Sequence, residues 1–212
     1  MAKTIYLIRH GQSIDSQKER FQSASSPLNE EGILQSQQLS KEITALNIDL
    51  LVSSPLARAL ETAEIIAKEI HQEIRINDLF KEGVKPSSVD GKLSTDTTAV
   101  EIMKNWESSL YGNGAKILDG ETFEELLSRA DQAINFLVHA NATRIAIVSH
   151  GFFTKTILAR ITYKDELTGE KLKAFQNSYK SSNTGITTLT YNEESKEWKI
   201  LSVNDARHTE EN

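Results

Sequence analysis

The chain has 212 residues, enough for one compact domain with a substantial core. Its 24 Lys and Arg face 30 Asp and Glu, and the formal charge of −6 argues against a general nucleic-acid or anionic-membrane binder. There is no cysteine, which excludes disulfides, thiolate chemistry and Cys-based zinc sites. The opening MAKTIYLIRHG is too short an apolar run for a secretory leader, and no segment approaches the roughly 18 residues of a membrane span. The expectation is a soluble, cytoplasmic protein.

Residues 4–8, TIYLI, predict a strand of the kind buried on both faces of a parallel sheet, and it runs straight into Arg9-His10-Gly11. A helix is expected from near Asn29, turning Leu39, Ile43 and Leu46 inward. Residues 50–53 form a second strand. Ser54-Pro55 then reads as cap and first-turn proline of a helix to about Ile70, with Leu60, Ala63, Ala67 and Ile70 on one face. Roughly 83–119, with KPSSVDGKLSTDTT and YGNGAK around an amphipathic stretch over 98–110, reads as a lid inserted into a single domain spanning 1–212. Thr122 and Glu125 make a capping box ahead of Phe123, Leu126, Leu127, Ala130, Ile134 and Leu137.

Residues 144–149 repeat the first pattern, a β-branched run ending in His150-Gly151 before another helix. TGITTLTYN and EWKILSVN read as a hairpin or two edge strands, and NDARHTEEN as a polar, frayed tail. The alternation gives an α/β class: a three-layer sandwich with a mostly parallel central sheet flanked by helices.

In such sheets ligands sit beyond the carboxyl ends of the strands. Arg9 and His10 close one strand, the segment to Arg58 follows another, and His150 closes a third. Neighbouring parallel strands would bring two imidazoles and two guanidiniums to one rim, a cluster suited to an anion. Guanidiniums offer forked donors matched to phosphate oxygens, and helix N-termini after Ser54 and Gly151 add backbone donors. A neutral imidazole is a nucleophile toward phosphorus, and the second imidazole with the arginines can neutralise the equatorial oxygens. Gly11 and Gly151 would let the backbone approach the phosphate. Glu82, in LFKEGVK, could protonate the leaving oxygen if burial holds its proton, and then act as base for water.

LIRHGQS, SSPLARALETAEII and IVSHG, with SPLNEEGILQSQQL, DGETFEELLSRA and NTGITTL, together resemble the histidine phosphatase superfamily, the phosphoglycerate-mutase-like fold, in the family's order along nearly the whole chain. The resemblance implies that His10 is the phosphorylated nucleophile, that Arg9, Arg58 and His150 bind the phosphoryl group, and that no metal or other cofactor takes part. It also puts Glu82 at the family's acid/base position, after a third core strand in EIRIN. Where many members carry Glu-Ser-x-x-Asn after the glycine, this chain has Gln12, Ser13 and Asp15. Gln12 and Ser13 are candidates to donate to the phosphate or to fix the loop; Asp15 is expected to point away or to stay protonated.

The reading is therefore a metal-independent phosphatase acting on a small-molecule phosphate ester, with a phosphoprotein as the other substrate class and neither nucleic acid nor membrane as partner. The lid lacks the Tyr-Gly continuation of cofactor-dependent mutases, which tilts the balance toward hydrolysis. A phosphoglycerate mutase and a non-catalytic phosphate-ligand binding protein are the alternatives. No feature sets the oligomeric state. His71, His139 and His208 stand outside the constellation and are expected at the surface, and Trp106 and Tyr111 more naturally belong to a core than to a lid pocket.

Overall fold

The apolar run Ala2–Arg9 is β1, paired on both sides near the middle of a six-stranded sheet. The structure is a computed structural model that describes residues 2–112 and 114–209. The elements follow as α1 (Ile14–Gln17), α2 (Glu30–Ile43), β2 (Leu50–Ser53), α3 (Ala57–Ile70), β3 (Ile74–Ile76), α4 (Thr97–Tyr111), α5 (Phe123–His139), β4 (Arg144–Ser149), α6 (Gly151–Tyr163), α7 (Gly169–Asn177), β5 (Ile186–Asn192) and β6 (Glu197–Asp205). The sheet order is β3-β2-β4-β1-β5-β6. The first four strands are parallel, β5 runs antiparallel to β1, and β6 antiparallel to β5. The protein is thus an α/β sandwich with a mixed sheet.

Period-two alternation explains why the central strands read as unbroken apolar runs. On β4, Ile145 and Ile147 face one layer, with Leu126, Leu137, Phe153 and Ile157 of α5 and α6. Ala146 and Val148 face the other, with Leu39, Ile43, Ala63 and Ile66 of α2 and α3. At the amino end of the sheet, the buried Lys3 ammonium donates to the Val138 and Ala140 carbonyls at the C-terminus of α5, where a cation is favoured.

Register places the functional rim. Arg9 is level with Ser149, and Ser53 with Val148, so the chain leaves β1, β2 and β4 at one height. The His10 N–H donates to Ser149 O at 3.0 Å and the Ser54 N–H to Val148 O at 2.9 Å.

The capping box of Thr122 and Glu125 forms as expected, and Asn29 caps α2 through the Gly32 N–H. The start of α3 does not follow the sequence expectation. The helix begins at Ala57 after Leu56, without a side-chain cap; the Ser54 hydroxyl lies before it, accepting the Leu56 N–H at 3.3 Å and meeting His150 Nε2 at 2.8 Å. Nor is the tail frayed through its length: β6 runs to Asp205 and a 3₁₀ turn follows over Arg207–Thr209, while residues 210–212 lie outside the described residues. His208 is likewise not a surface side chain; it is 5% exposed, 3.0 Å from Glu42 and within hydrogen-bond distance of Thr184 Oγ1.

The stretch after Gly83 is stitched to the loop before α2, with the Phe21 N–H on Lys92 O and the Gly91 N–H on Phe21 O. Its helix α4 sends Trp106 and Leu110 into the main core. Asn113 of YGNGAK lies outside the described residues.

Because Ile147 is fully buried on the central strand, Ile147→Ala should lower stability by about 3 kcal/mol in urea unfolding. Ile200→Ala, on the partly exposed face of β6, should cost less than about 1 kcal/mol in the same assay.

Candidate active site

His10 lies 1% exposed just past β1. Its Nδ1 is 2.7 Å from the Gly11 carbonyl, an acceptor only, so the ring proton sits on Nδ1 and the lone pair on Nε2. That lone pair accepts from Arg58 Nε at 3.1 Å. Arg58 is carried by the first turn of α3 and fixed through Nη1 on Ser23 O at 2.9 Å. His150, 0% exposed, stands with its ring centroid 5.0 Å from that of His10, and its Nε2 is 2.8 Å from Ser54 Oγ. The His150 Nδ1 and the Arg9 Nε are buried without a hydrogen-bond partner. The Arg9 Nε–H is always a donor, and a buried donor without an acceptor is costly, so an anion beside it would relieve that cost.

Glu82 completes the cluster. Its Oε1 accepts from the Phe153 N–H at 3.0 Å and its Oε2 from the Phe152 N–H at 3.4 Å, so the half-buried carboxylate is anchored on the first turn of α6. Arg9, His10, Arg58 and Glu82 line one cavity of about 520 Å³; His150 lies directly behind His10.

The electrostatics follow from burial among cations. Burial, then Arg58 and Arg9, push the His10 imidazole well below the ordinary histidine value, against the pull of the Gly11 carbonyl. Burial, then Arg58, His10 and Arg9, do the same to His150. Burial also pushes Arg58 down to about 10, opposed by Glu82, so it stays charged at neutral pH. The site therefore holds two neutral rings between two fixed positive charges.

Other residues singled out in the sequence lie just outside the cavity. Gly11 is where β1 meets α2: a Cβ there would fall 2.5 Å from Gly32 O, and its N–H is spent on Thr62 Oγ1. Gln12 accepts from Asn29 and donates its backbone N–H to Gln35. Ser13 caps α1 through the Ser16 N–H. All three build the loop. Gly151 makes room for its neighbours, since a Cβ there would meet Ser181 at 3.2 Å and Arg9 Cδ at 3.5 Å. Asp15 points to the loop, accepting from the Ser23 N–H at 2.9 Å and the Ser23 hydroxyl at 3.0 Å. Burial works against its charge, but Ser23, Ser26 and Arg20 outweigh it and hold the carboxyl below the usual range. Asp15 thereby fixes the residue whose carbonyl holds Arg58.

Several contributors carry no periodic signal in the sequence. Arg20, Phe21, Gln22 and Lys85 line the outer cavity from irregular segments. The loop after α7 holds the end of β1 at His10: Arg9 Nη1 donates to Ser181 O, and Asn183 Nδ2 to His10 O at 3.0 Å. That loop is in turn tied to β6 by Asn204, which accepts from the Ser182 N–H at 2.7 Å. The NTG at 183–185 is the one sequence signal for this anchor.

The sequence profile of the Histidine phosphatase superfamily (branch 1) matches residues 5–206. Relatives include the "Probable phosphoglycerate mutase GpmB" of Citrobacter koseri, 28% identical over 216 residues, covering 96% of this chain and 94% of that protein. The protein of the same description from Proteus mirabilis is 30% identical, covering 74% of each chain. Among solved structures, Bacillus stearothermophilus YhfR superposes with a TM-score of 0.82 at 24% identity, covering 98% of this chain and all of that one. The Shigella flexneri alpha-ribazole phosphatase gives 0.78 at 20%, covering 99% and 100%. An Entamoeba histolytica phosphoserine phosphatase mutant, solved with phosphoserine, gives 0.77 at 24%, covering 98% and 100%. At these identities the superpositions establish a shared fold. No helix among the described residues is long and apolar enough to cross a membrane.

Both buried imidazoles titrate lower in the folded chain than in the unfolded one. Between those values the unfolded chain binds more protons, so this contribution to stability is full above about pH 6.5 and is lost as the pH falls from there. In ¹⁵N NMR of the ligand-free protein, both rings should remain neutral at pH 6, with His10 protonated on Nδ1. A midpoint at or above 6.5 for either ring would contradict this electrostatic picture.

Proposed function

This chain belongs to the histidine phosphatase superfamily, and on that footing we propose that it is a metal-independent phosphomonoesterase working through a phosphohistidine on His10. The observation that carries the reading is the tautomer of His10: Nδ1 is committed to the Gly11 carbonyl, which leaves the Nε2 lone pair on the cavity side, beside Arg58. An ester phosphate entering the cavity takes the Arg58 Nε–H onto one of its oxygens and uncovers that lone pair. The unpartnered Arg9 Nε–H supplies a further donor as charge spreads over the equatorial oxygens, and so does His150 Nδ1 in the tautomer whose Nε2 accepts from the Ser54 hydroxyl.

The step balances as an in-line displacement. The His10 Nε2–P bond forms while the P–O bond to the leaving group breaks, and a proton from Glu82 goes to the departing oxygen. Water then attacks phosphorus, loses its proton to Glu82, and the N–P bond breaks to release phosphate. The two guanidiniums provide the fixed positive charge that this chemistry requires.

A mutase is the second reading, favoured by the description of the relatives at 28–30% identity. Mutase turnover retains a bisphosphorylated intermediate, which needs a strongly cationic far end. Here the outer cavity mixes Arg20, Lys81 and Lys85 with Asp90 and Asp119, and both lysines are ion-paired, Lys81 with Asp78 and Lys85 with Asp90. That wall favours release over retention. The substrate class we propose is a small phosphate ester, since the cavity of about 520 Å³ is in the size range of small-molecule sites.

With chelator present, wild-type protein should release phosphate from 4-nitrophenyl phosphate, and His10→Ala should reduce turnover by at least about 1,000-fold. With 3-phosphoglycerate, phosphate release should exceed isomerisation. Loss of activity on chelation, or full activity in His10→Ala, would contradict the mechanism; dominant isomerisation would establish the mutase.

A further inference from the structure

Arg129 of α5 has five N–H donors, and all five are used on two targets: one carboxylate and the segment that carries Glu82. Nε donates to Glu121 Oε1 and Nη2 to Glu121 Oε2, both at 2.8 Å. Nη1 donates to Leu79 O at 3.1 Å and Lys81 O at 2.8 Å, and Nη2 also reaches Glu82 O at 3.2 Å. Glu121 closes the other side, since its Oε2 accepts the Val84 N–H at 3.2 Å and its own N–H donates to Val84 O at 2.6 Å. Residues 79–84 are therefore clamped on both sides of Glu82.

The same guanidinium lies 3.9 Å from the centroid of the Phe153 ring, and the Phe153 N–H is the donor that holds Glu82 Oε1. Arg129 thus fixes both the backbone of Glu82 and the residue that orients its carboxylate, without lining the cavity itself. The pair is 14% and 8% exposed. A buried ion pair is a poor route to stability, because packed apolar residues serve as well, so its use here points to a demand for defined geometry.

We propose that Arg129, oriented by Glu121, is a positioning residue that holds the Glu82 carboxyl at the leaving-group oxygen; the proposal rests on the reading of Glu82 as proton donor given above. The pair acts on both uses of Glu82, as acid in P–O cleavage and as base toward water, and kcat/KM isolates the first of them. Esters with a basic leaving alkoxide depend on this transfer, whereas 4-nitrophenolate departs without it. A role confined to holding the fold together would affect both esters alike.

The test is kcat/KM, which ends at the first irreversible step, for 4-nitrophenyl phosphate and for glycerol 2-phosphate. It compares wild type, Glu82→Gln, Arg129→Lys and Glu121→Gln, each confirmed folded by its thermal transition. Glu82→Gln should lose about 100-fold or more on the alkyl ester and far less on the aryl ester. Arg129→Lys, whose three donors cannot span five acceptors, should reproduce that asymmetry at about 10-fold or more, with the alkyl loss in kcat and KM little changed. Glu121→Gln keeps the shape of the clamp and should show the same asymmetry, which preserves the test if Arg129→Lys does not fold. Equal losses on the two esters, or none, in the folded variants would overturn the positioning role. If Glu82→Gln is asymmetric while both clamp variants are not, only this inference fails; if wild type turns over neither ester, the underlying functional reading fails with it.

Discussion

Two guanidiniums and two imidazoles are buried side by side at the ends of three parallel strands, and the arrangement is tolerable only because the rings stay neutral. Burial and the neighbouring arginines both oppose ring protonation, so each positive charge added would be resisted by those already present. The same constraint that would make the cluster a liability for stability makes it a receptor for an anion. The phosphoryl group proposed as its ligand would be the complement: it would supply an acceptor for the unpartnered Arg9 Nε–H and negative charge for the guanidiniums. A His10 imidazole held well below the ordinary histidine value, and fixed in one tautomer by a backbone carbonyl, follows from the fold.

The frame around this cluster has three supports, and they come from distant parts of the chain. On one side Asp15 holds Ser23, and Ser23 holds Arg58. On the other, Ser181 and Asn183 hold Arg9 and the His10 carbonyl, while Asn204 on β6 holds their loop. A third support, Arg129 with Glu121, reaches the segment of Glu82 from α5. Each works by giving a backbone carbonyl or N–H a charged or polar partner, so positions are set by directional bonds on rigid elements rather than by packing alone.

What could be read from the sequence was what is written in periodicity or in strand ends. The doubled pattern of an apolar run closing in His-Gly located β1 and β4 with their two histidines, and three- and four-residue spacing located α3 and α5. The parallel register then made His10, Arg58 and His150 neighbours, as the strand-end argument required. Legibility stopped where one side chain serves a partner far along the chain. Ser54 looked like a helix cap and instead meets His150, 96 residues on. Gly11 looked like a phosphate cradle and instead admits Gly32 of α2. Asp15 points away from the site, as one of the expected outcomes had it, but the partner it turns to, Ser23, was not legible. The support from the tail and from Arg129 is equally non-local: NTG and DGETFEELLSRA mark the residues, but neither motif names the partners they hold.

The measurement that bears most directly on the central claim is chemical trapping of the enzyme during turnover. Wild-type protein mixed with a phosphate monoester and quenched in alkali, where a phosphoramidate survives, should carry phosphate on His10 when the peptides are sequenced by mass spectrometry. The label should disappear on brief acid treatment and be absent from His10→Ala. Turnover without any phosphorylated histidine, or with the phosphoryl group on another residue, would contradict the account.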